Sequence, residues 1–176
     1  MFRWRSLAFG VGMLALVTAL SVFALGGVAT AGPPGPPDSA TVLFGDPNAG
    51  SPFPPGDEHD ESIHAADKLV PRNVVISQGG TVTFETFGAH QVAVYAAGAK
   101  AGDIDSSMTT GGGAGCPPIP LIDDPTNRLL VLGDQPCAGG PTAPSFTFGA
   151  PGRYLVICNF LPHFEDADMF GWVTVK

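Results

Sequence analysis

The last 26 residues of the chain bring together three side chains that can donate to a metal ion. Residues 151–176 read PGRYLVICNFLPHFEDADMFGWVTVK and contain Cys158, His163 and Met169 within a dozen positions. A further imidazole, His90, opens the run HQVAVY much earlier in the chain. The whole sequence holds only 3 cysteines, 4 histidines and 4 methionines. A thiol, two imidazoles and a thioether are a mixed donor set, so metal binding is the first hypothesis that these residue types raise.

The alternation of apolar residues predicts that these donors lie at the ends of strands. In RYLVIC, Cys158 shares a face with Val156, so the thiol points toward the core if that face is buried. In HQVAVY, His90 shares a face with Val92 in the same way. Two imidazoles and a thiolate in a plane, with a weak axial thioether, form the blue-copper arrangement. We therefore predict four ligands of one copper ion, namely His90, Cys158, His163 and Met169.

Such a site suits an electron carrier better than an enzyme. Sulfur donors favour Cu(I) and imidazoles accept Cu(II), so a mixed set reorganises little when one electron moves. Multicopper enzymes need many more histidines than the four present, and the pair Cys158 and His163 lacks an orienting third residue or an oxyanion motif. Copper storage or delivery is the alternative function. Taken singly, each donor also has a structural interpretation, such as a buried cysteine or a packed methionine.

Two long stretches of the sequence resemble the cupredoxin family, the plastocyanin- and azurin-like small blue copper proteins. They are TVTFETFGAHQVAVY and FTFGAPGRYLVICNFLPHFEDADMFGWVTVK, and the resemblance covers residues 62–176. It implies an all-β fold, a Greek-key β-sandwich or flattened barrel, with one type 1 copper ion and redox protein partners. The same four ligands are implied. Two departures stand out: Gln91 replaces a frequent Asn, and five residues separate His163 from Met169, one or two more than usual.

The strands that must position these donors are visible as period-two patterns. The runs that read as strands are RNVVIS, TVTFET, HQVAVY, SFTFG, RYLVIC and GWVTVK. Alternation of this kind predicts one buried face and one wet face for each strand. RYLVIC is almost continuously apolar, as expected of a central strand. The sequence predicts no amphipathic helix longer than two or three turns.

A long insertion rich in Gly, Pro and Asp separates Ala96 from Pro144. NRLLVLG predicts a strand within it. Cys116 and Cys137 flank its Pro-rich part, and exported proteins meet oxidising conditions, so we predict a disulfide between them. Two free thiols are the alternative. A disulfide here would stabilise the fold by roughly 3 kcal/mol in the loop-entropy account.

The first 31 residues read as a signal for export. Arg3 and Arg5 precede an uncharged apolar run that ends in Ala-Thr-Ala at residues 29–31. This order predicts a signal peptide cut after Ala31, or else an uncleaved membrane anchor. Either way the protein is expected in the periplasm, at the cell surface or outside the cell. Membrane attachment would come only through this segment.

Residues 32–61 are rich in Pro, Gly and acidic side chains, and they predict an extended linker before the domain at 62–176. His59 and His64 lie five apart among carboxylates near this boundary. They suit either a second metal site or a solvated acidic lead-in to the first strand. The sequence leaves both interpretations open.

The charge of the chain excludes some partners and favours others. The formal net charge is −8, and it becomes −10 once Arg3 and Arg5 are removed. An acidic surface repels nucleic acid and anionic lipid, and it attracts basic proteins by speeding encounter. We expect a monomer whose redox partners include a basic cytochrome or an oxidase. Solubility alone is the other explanation of the charge.

The loop NFLPHFED surrounds His163 with apolar residues, namely Phe160, Leu161, Pro162 and Phe164. If the imidazole faces solvent, this patch predicts an electron port against which a partner docks.

Overall fold

In the computed structural model the described residues are 34–48, 67–111, 120–132 and 142–176. Within these ranges the chain forms eleven strands, one short helix and one 3₁₀ turn. The strands are β1 Ser39–Phe44, β2 Leu69–Val70, β3 Asn73–Ile76, β4 Thr81–Thr86, β5 Val92–Ala97, β6 Thr109–Gly111, β7 Pro120–Ile122, β8 Arg128–Leu132, β9 Ser145–Thr147, β10 Gly152–Cys158 and β11 Phe170–Val175; the 3₁₀ turn is Ala101–Asp103 and the helix α1 is Leu161–Glu165.

The strands form two main sheets that pack as a sandwich. One sheet has the order β2-β1-β4-β9, and the other has the order β3-β11-β10-β5-β8. Alternate residues of both sheets point inward and form one buried cluster. Its members include Val42, Phe44, Val82 and Phe84 from the first sheet, Phe148 just after β9, and Ile76, Val94, Val156, Cys158 and Val173 from the second sheet. The predicted all-β sandwich is therefore confirmed.

Strand β1 lies where the sequence analysis placed a linker, and that assignment is corrected for residues 39–44. The segment SATVLF pairs in parallel with β4 along its whole length. Val42 and Phe44 are fully buried in the core between the sheets. The alternating pattern was present in the sequence, but prolines on both sides concealed so short a strand. The domain thus begins before residue 62.

Strand β5 begins at Val92 and not at His90, and neither of its faces is wet. Val92 and Val94 face the core between the sheets, whereas Ala93 and Tyr95 are equally buried on the opposite face. The expectation of a solvated face is therefore wrong for this strand. The opposite face is covered because part of the insertion, including Ile122, packs against it.

The insertion carries more regular structure than its composition indicates. The predicted strand NRLLVLG is confirmed as β8, which pairs with β5 at the edge of the second sheet. Strands β6 and β7 form a separate two-stranded ribbon. Cys116 and Cys137 lie outside the described residues, as do His59, His64 and residues 1–31. Among the described residues, no helix is long and apolar enough to span a bilayer.

Candidate metal centre

Cys158 is the last residue of β10, a central strand of the second sheet. β10 pairs with β11 on one side and with β5 on the other, which confirms the prediction from RYLVIC. The side chain of Cys158 is fully buried on the face shared with Val156. Its backbone N–H donates to the carbonyl of Met169 at 2.9 Å. This hydrogen bond joins the end of β10 to the residue just before β11.

His90 lies in the turn that leads from β4 into β5. Its backbone N–H donates to the carbonyl of Gly88 at 3.1 Å, and its ring also hydrogen-bonds to the backbone of Phe87. The side chain is almost completely buried. Gly45, just after β1, packs closely against the ring: a Cβ at this position would stand 2.6 Å from Nε2 of His90.

His163 lies in the middle of the short helix α1. The helix begins after Phe160, and Pro162 occupies its first turn, where the missing N–H of a proline costs no helical hydrogen bond. The ring of Phe160 stacks on the imidazole at 5.3 Å between centroids. The side chain of His163 is 12% exposed. The stacked ring of Phe160 thus supports the imidazole, and a small part of the His163 side chain stays accessible to solvent.

The three donor atoms that the sequence analysis predicted to converge are close together. Nδ1 of His90 lies 3.1 Å from Nδ1 of His163, and Sγ of Cys158 lies 3.7 Å and 3.5 Å from these two nitrogens. A triangle with these sides has a centre about 2.0 Å from each corner, which matches metal–imidazole distances of about 2.0 Å and comes close to metal–thiolate distances of about 2.3 Å. One thiol and two imidazoles therefore fit a metal ion by chemistry and by spacing.

Burial keeps His90 and Cys158 uncharged when no metal is bound. It lowers the pKa of His90 to about 4, although the hydrogen bond to the backbone of Phe87 opposes this shift. It raises the pKa of the Cys158 thiol to about 12, although backbone N–H groups of Phe160 and Gln91 act in the opposite direction. A cation that replaces the thiol proton removes this penalty, because a thiolate bound to a metal is neutralised locally.

Met169 is buried in the same core cluster as Cys158. Its backbone N–H donates to the carbonyl of His163 at 2.9 Å, and its carbonyl accepts from Cys158. The longer spacing from His163 is taken up by the end of α1 and by a turn at Asp168, whose φ is +49°. The loop therefore returns to the site despite its extra length. An axial role for the Met169 sulfur remains a prediction.

The departure at Gln91 leaves the ligand loops connected. The side-chain amide of Asn159 donates to Oε1 of Gln91 at 2.9 Å, and the backbone N–H of Asn159 donates to the carbonyl of Gln91 at 2.6 Å. Both residues are buried. Because each is adjacent to a donor residue, this double link fixes His90 relative to Cys158.

Asp67 also contacts the site, and sequence reasoning missed it. Its Oδ1 lies 3.6 Å from Nε2 of His90, and its Oδ2 lies 3.5 Å from Nε2 of His163. Nothing in the acidic run around residue 67 distinguishes this carboxylate from its neighbours.

The apolar patch predicted around His163 is mostly not at the surface. Phe160 is 1% exposed and Phe164 is 9% exposed. Leu161 and Pro162 alone are partly accessible among the four. Phe160 stacks on the imidazole and Phe164 packs in the core, so neither forms a docking face.

Comparison with solved structures finds similar sandwiches. The sodium-dithionite-reduced auracyanin from the photosynthetic bacterium Roseiflexus castenholzii is 19% identical, with a TM-score of 0.50, over 81% of this chain and 99% of that one. Auracyanin A from Chloroflexus aurantiacus, described as a "blue" copper protein, is 20% identical over 80% and 99%, with a TM-score of 0.46. Reduced rusticyanin is 18% identical over 78% of each chain, with a TM-score of 0.42.

The chain has the cupredoxin fold. At this level of identity the likeness establishes the fold and nothing about the metal. No family model matches the chain, and no curated protein matches it. Within this cupredoxin fold, the three donors lie at one end of the sandwich, where β10 ends, β5 begins and α1 follows.

Proposed function

We propose that the protein is an exported type 1 copper protein that carries single electrons between redox partners. The observation that carries this proposal is the triangle formed by Nδ1 of His90, Nδ1 of His163 and Sγ of Cys158. Copper held there would gain and lose one electron, which is the chemistry that this donor set supports.

The chain contributes rigidity and exclusion of water. Cys158 and His90 are buried, and the link between Gln91 and Asn159 holds their backbones in register. Because these contacts fix the positions of the donor residues, the site needs little rearrangement when copper gains or loses an electron. We further propose Met169 as the axial ligand, because its backbone joins both Cys158 and His163.

Burial favours the electron carrier over a storage or delivery function. Delivery requires a partner to attack the metal or to exchange for its ligands, so an accessible thiolate is expected. Here Cys158 is 0% exposed and His90 is 4% exposed. An electron can pass through the partly exposed side chain of His163, whereas release of a copper ion would require the buried donors to separate. The acidic surface suits a basic redox partner.

The test is addition of Cu(II) to the purified protein. We expect one equivalent to give an intense visible absorption that a reductant bleaches and an oxidant restores. The band arises from thiolate donation, so Cys158→Ser should abolish it in a chain that still shows the same circular dichroism. The double variant Cys116→Ser/Cys137→Ser serves as the control for loss of the other thiols and should retain the colour.

Two results would overturn the proposal. Copper that binds without intense colour, and that leaves to a Cu(I) chelator within seconds, would favour storage or delivery. Colour that survives Cys158→Ser would place the copper elsewhere in the chain.

A further inference from the structure

The carboxylate of Asp67 stands behind both imidazoles, on the side away from Cys158. One oxygen faces Nε2 of His90 at 3.6 Å, and the other faces Nε2 of His163 at 3.5 Å. The Nδ1 atoms of the same two rings face the thiol. The side chain of Asp67 is 14% exposed, so this contact is largely shielded from water.

The chemistry of imidazole determines which group donates in this contact. A neutral ring that offers Nδ1 to a metal carries its proton on Nε2, and that N–H requires an acceptor. A carboxylate offers two oxygens, one for each ring. The present distances lie just beyond hydrogen-bond range, and a movement on the order of half an ångström would close each contact. The ring of His90 also has the backbone of Phe87 as a partner.

The fold holds Asp67 at this position. The next residue, Lys68, accepts a backbone hydrogen bond from Gly45 at 3.0 Å, and its ammonium lies 3.3 Å from Oδ2 of Asp46. Leu69 then anchors β2 in the core. Asp67 therefore lies beside the residues just after β1, where Gly45 also packs against His90.

We propose that Asp67 is a positioning residue that fixes both imidazoles with Nδ1 toward the metal and lowers the reduction potential of the site. This inference rests on the copper function proposed above. A negative charge close to both ligands favours Cu(II) over Cu(I), because the oxidised site carries one more positive charge. The carboxylate thus sets ring orientation and potential together.

Asp67→Asn tests the charge, and Asp38→Asn is its control. Both variants remove one carboxylate beside a strand of the first sheet, but Asp38 is exposed and lies at the opposite end of β1 from Gly45. In copper-loaded protein we expect Asp67→Asn to shift the equilibrium toward Cu(I) at least tenfold, which is 59 mV for one electron. We expect less than a threefold shift for Asp38→Asn, and Asp67→Glu should retain most of the wild-type potential.

Nuclear magnetic resonance of the Zn(II)-loaded protein tests the orientation without copper. In the wild type we expect slowly exchanging Nε2 protons on both rings. In Asp67→Asn the proton of His163 should exchange faster. This ring assignment in the wild type also decides the matter if Asp67→Asn does not fold.

The outcomes separate the two proposals. Equal potentials for the two Asn variants, or Nδ1 protons on the zinc-loaded rings, would overturn the role of Asp67 while the copper function stands. A wild-type protein that gives no reducible copper colour would overturn the copper function and, with it, this role of Asp67.

Discussion

Single residues determine whether the site can form around a metal, and Gly45 is the residue that least tolerates a side chain. Its φ is +88°, and a side chain there would run into the ring of His90. A residue other than glycine would be strained by backbone and by contact alike.

We therefore expect Gly45→Ala to lower the free energy of unfolding by about 1–3 kcal/mol and to weaken copper binding. The matched control is Gly79→Ala, because Gly79 has a similar φ of +80° with nothing within 4 Å of a Cβ. Urea unfolding and visible spectra of both variants provide the measurement. If the control disturbs the copper spectrum as much as Gly45→Ala does, the contact with His90 is not the cause.

Met169 offers a second test at this scale. Thioether sulfur is a soft donor that suits Cu(I), whereas an amide oxygen is harder and favours Cu(II). If Met169 is the axial ligand, Met169→Gln should lower the reduction potential and broaden the visible spectrum. Met108→Gln, at an exposed position, should change neither. A potential unaffected by Met169→Gln would leave the axial position to another group.

The convergence of His90, Cys158 and His163 could be predicted from the sequence because these residue types are rare and lie near the ends of alternating runs. Cys158 ends an apolar run, and His163 and Met169 follow it at short spacing. Asp67 could not be predicted, because one carboxylate among sixteen acidic residues carries no pattern. Gly45 lay in a segment whose composition resembles that of a linker.

At the scale of elements, the loop between β10 and β11 is held from outside by Arg72. Its guanidinium donates to the carbonyl of Asp168 and, at 3.2 Å, to that of Phe170. It also lies over the ring of Phe170 at 5.1 Å. These contacts bracket Met169 on both sides and close the loop against the start of β3.

Removing the side chain of Arg72 should loosen the loop between β10 and β11, but the site should still bind copper. We expect Arg72→Ala to cost about 1.5–3 kcal/mol of stability, the usual range for hydrogen bonds from a charged group. Copper release to a chelator should become faster. Arg153→Ala removes another arginine stacked on an aromatic ring, that of Trp172 at 4.2 Å, and should leave the release rate unchanged. Equal release rates for the two variants would contradict this role of Arg72.

Strands with clear alternation were predicted well, whereas the burial of a strand face that another segment covers was not. β4 and β11 follow their period-two patterns with alternate residues buried. β5 was misread because the cover over its outer face comes from an insertion whose composition predicts little structure. Alternation shows which residues share a face, but it cannot show what covers that face.

For the molecule as a whole, Tyr95, buried on the face of β5 that the insertion covers, links packing to alkaline stability. Burial raises the pKa of Tyr95 from 10.0 to about 12. Between these values the unfolded chain releases the phenolic proton while the folded chain keeps it. Stability should therefore fall as pH rises from 10 to 12, by about 1.4 kcal/mol per pH unit at most.

Tyr95→Phe should flatten this fall, as measured by urea unfolding between pH 9 and 12. Tyr154→Phe removes the hydroxyl that donates to the carbonyl of Ala150 at 2.8 Å. This variant should still lose stability between pH 10 and 12, because Tyr95 is still present. A fall of equal steepness in the wild type and in Tyr95→Phe would show that other groups account for the alkaline loss.

Export is the remaining prediction at this scale. Expression with a secretion system should give a mature protein that begins at Gly32, as determined by N-terminal sequencing. A protein recovered from membranes with residues 1–31 intact would instead support the anchor.

Strand β1 has a practical consequence for any shortened form of the protein. A chain that starts at residue 62 would lack Val42 and Phe44. The sheet β2-β1-β4-β9 would also lose β1, whose backbone forms hydrogen bonds with one side of β4. An open strand edge next to an uncovered apolar surface invites pairing between molecules. Such a truncated chain would aggregate even though all four proposed ligands were present.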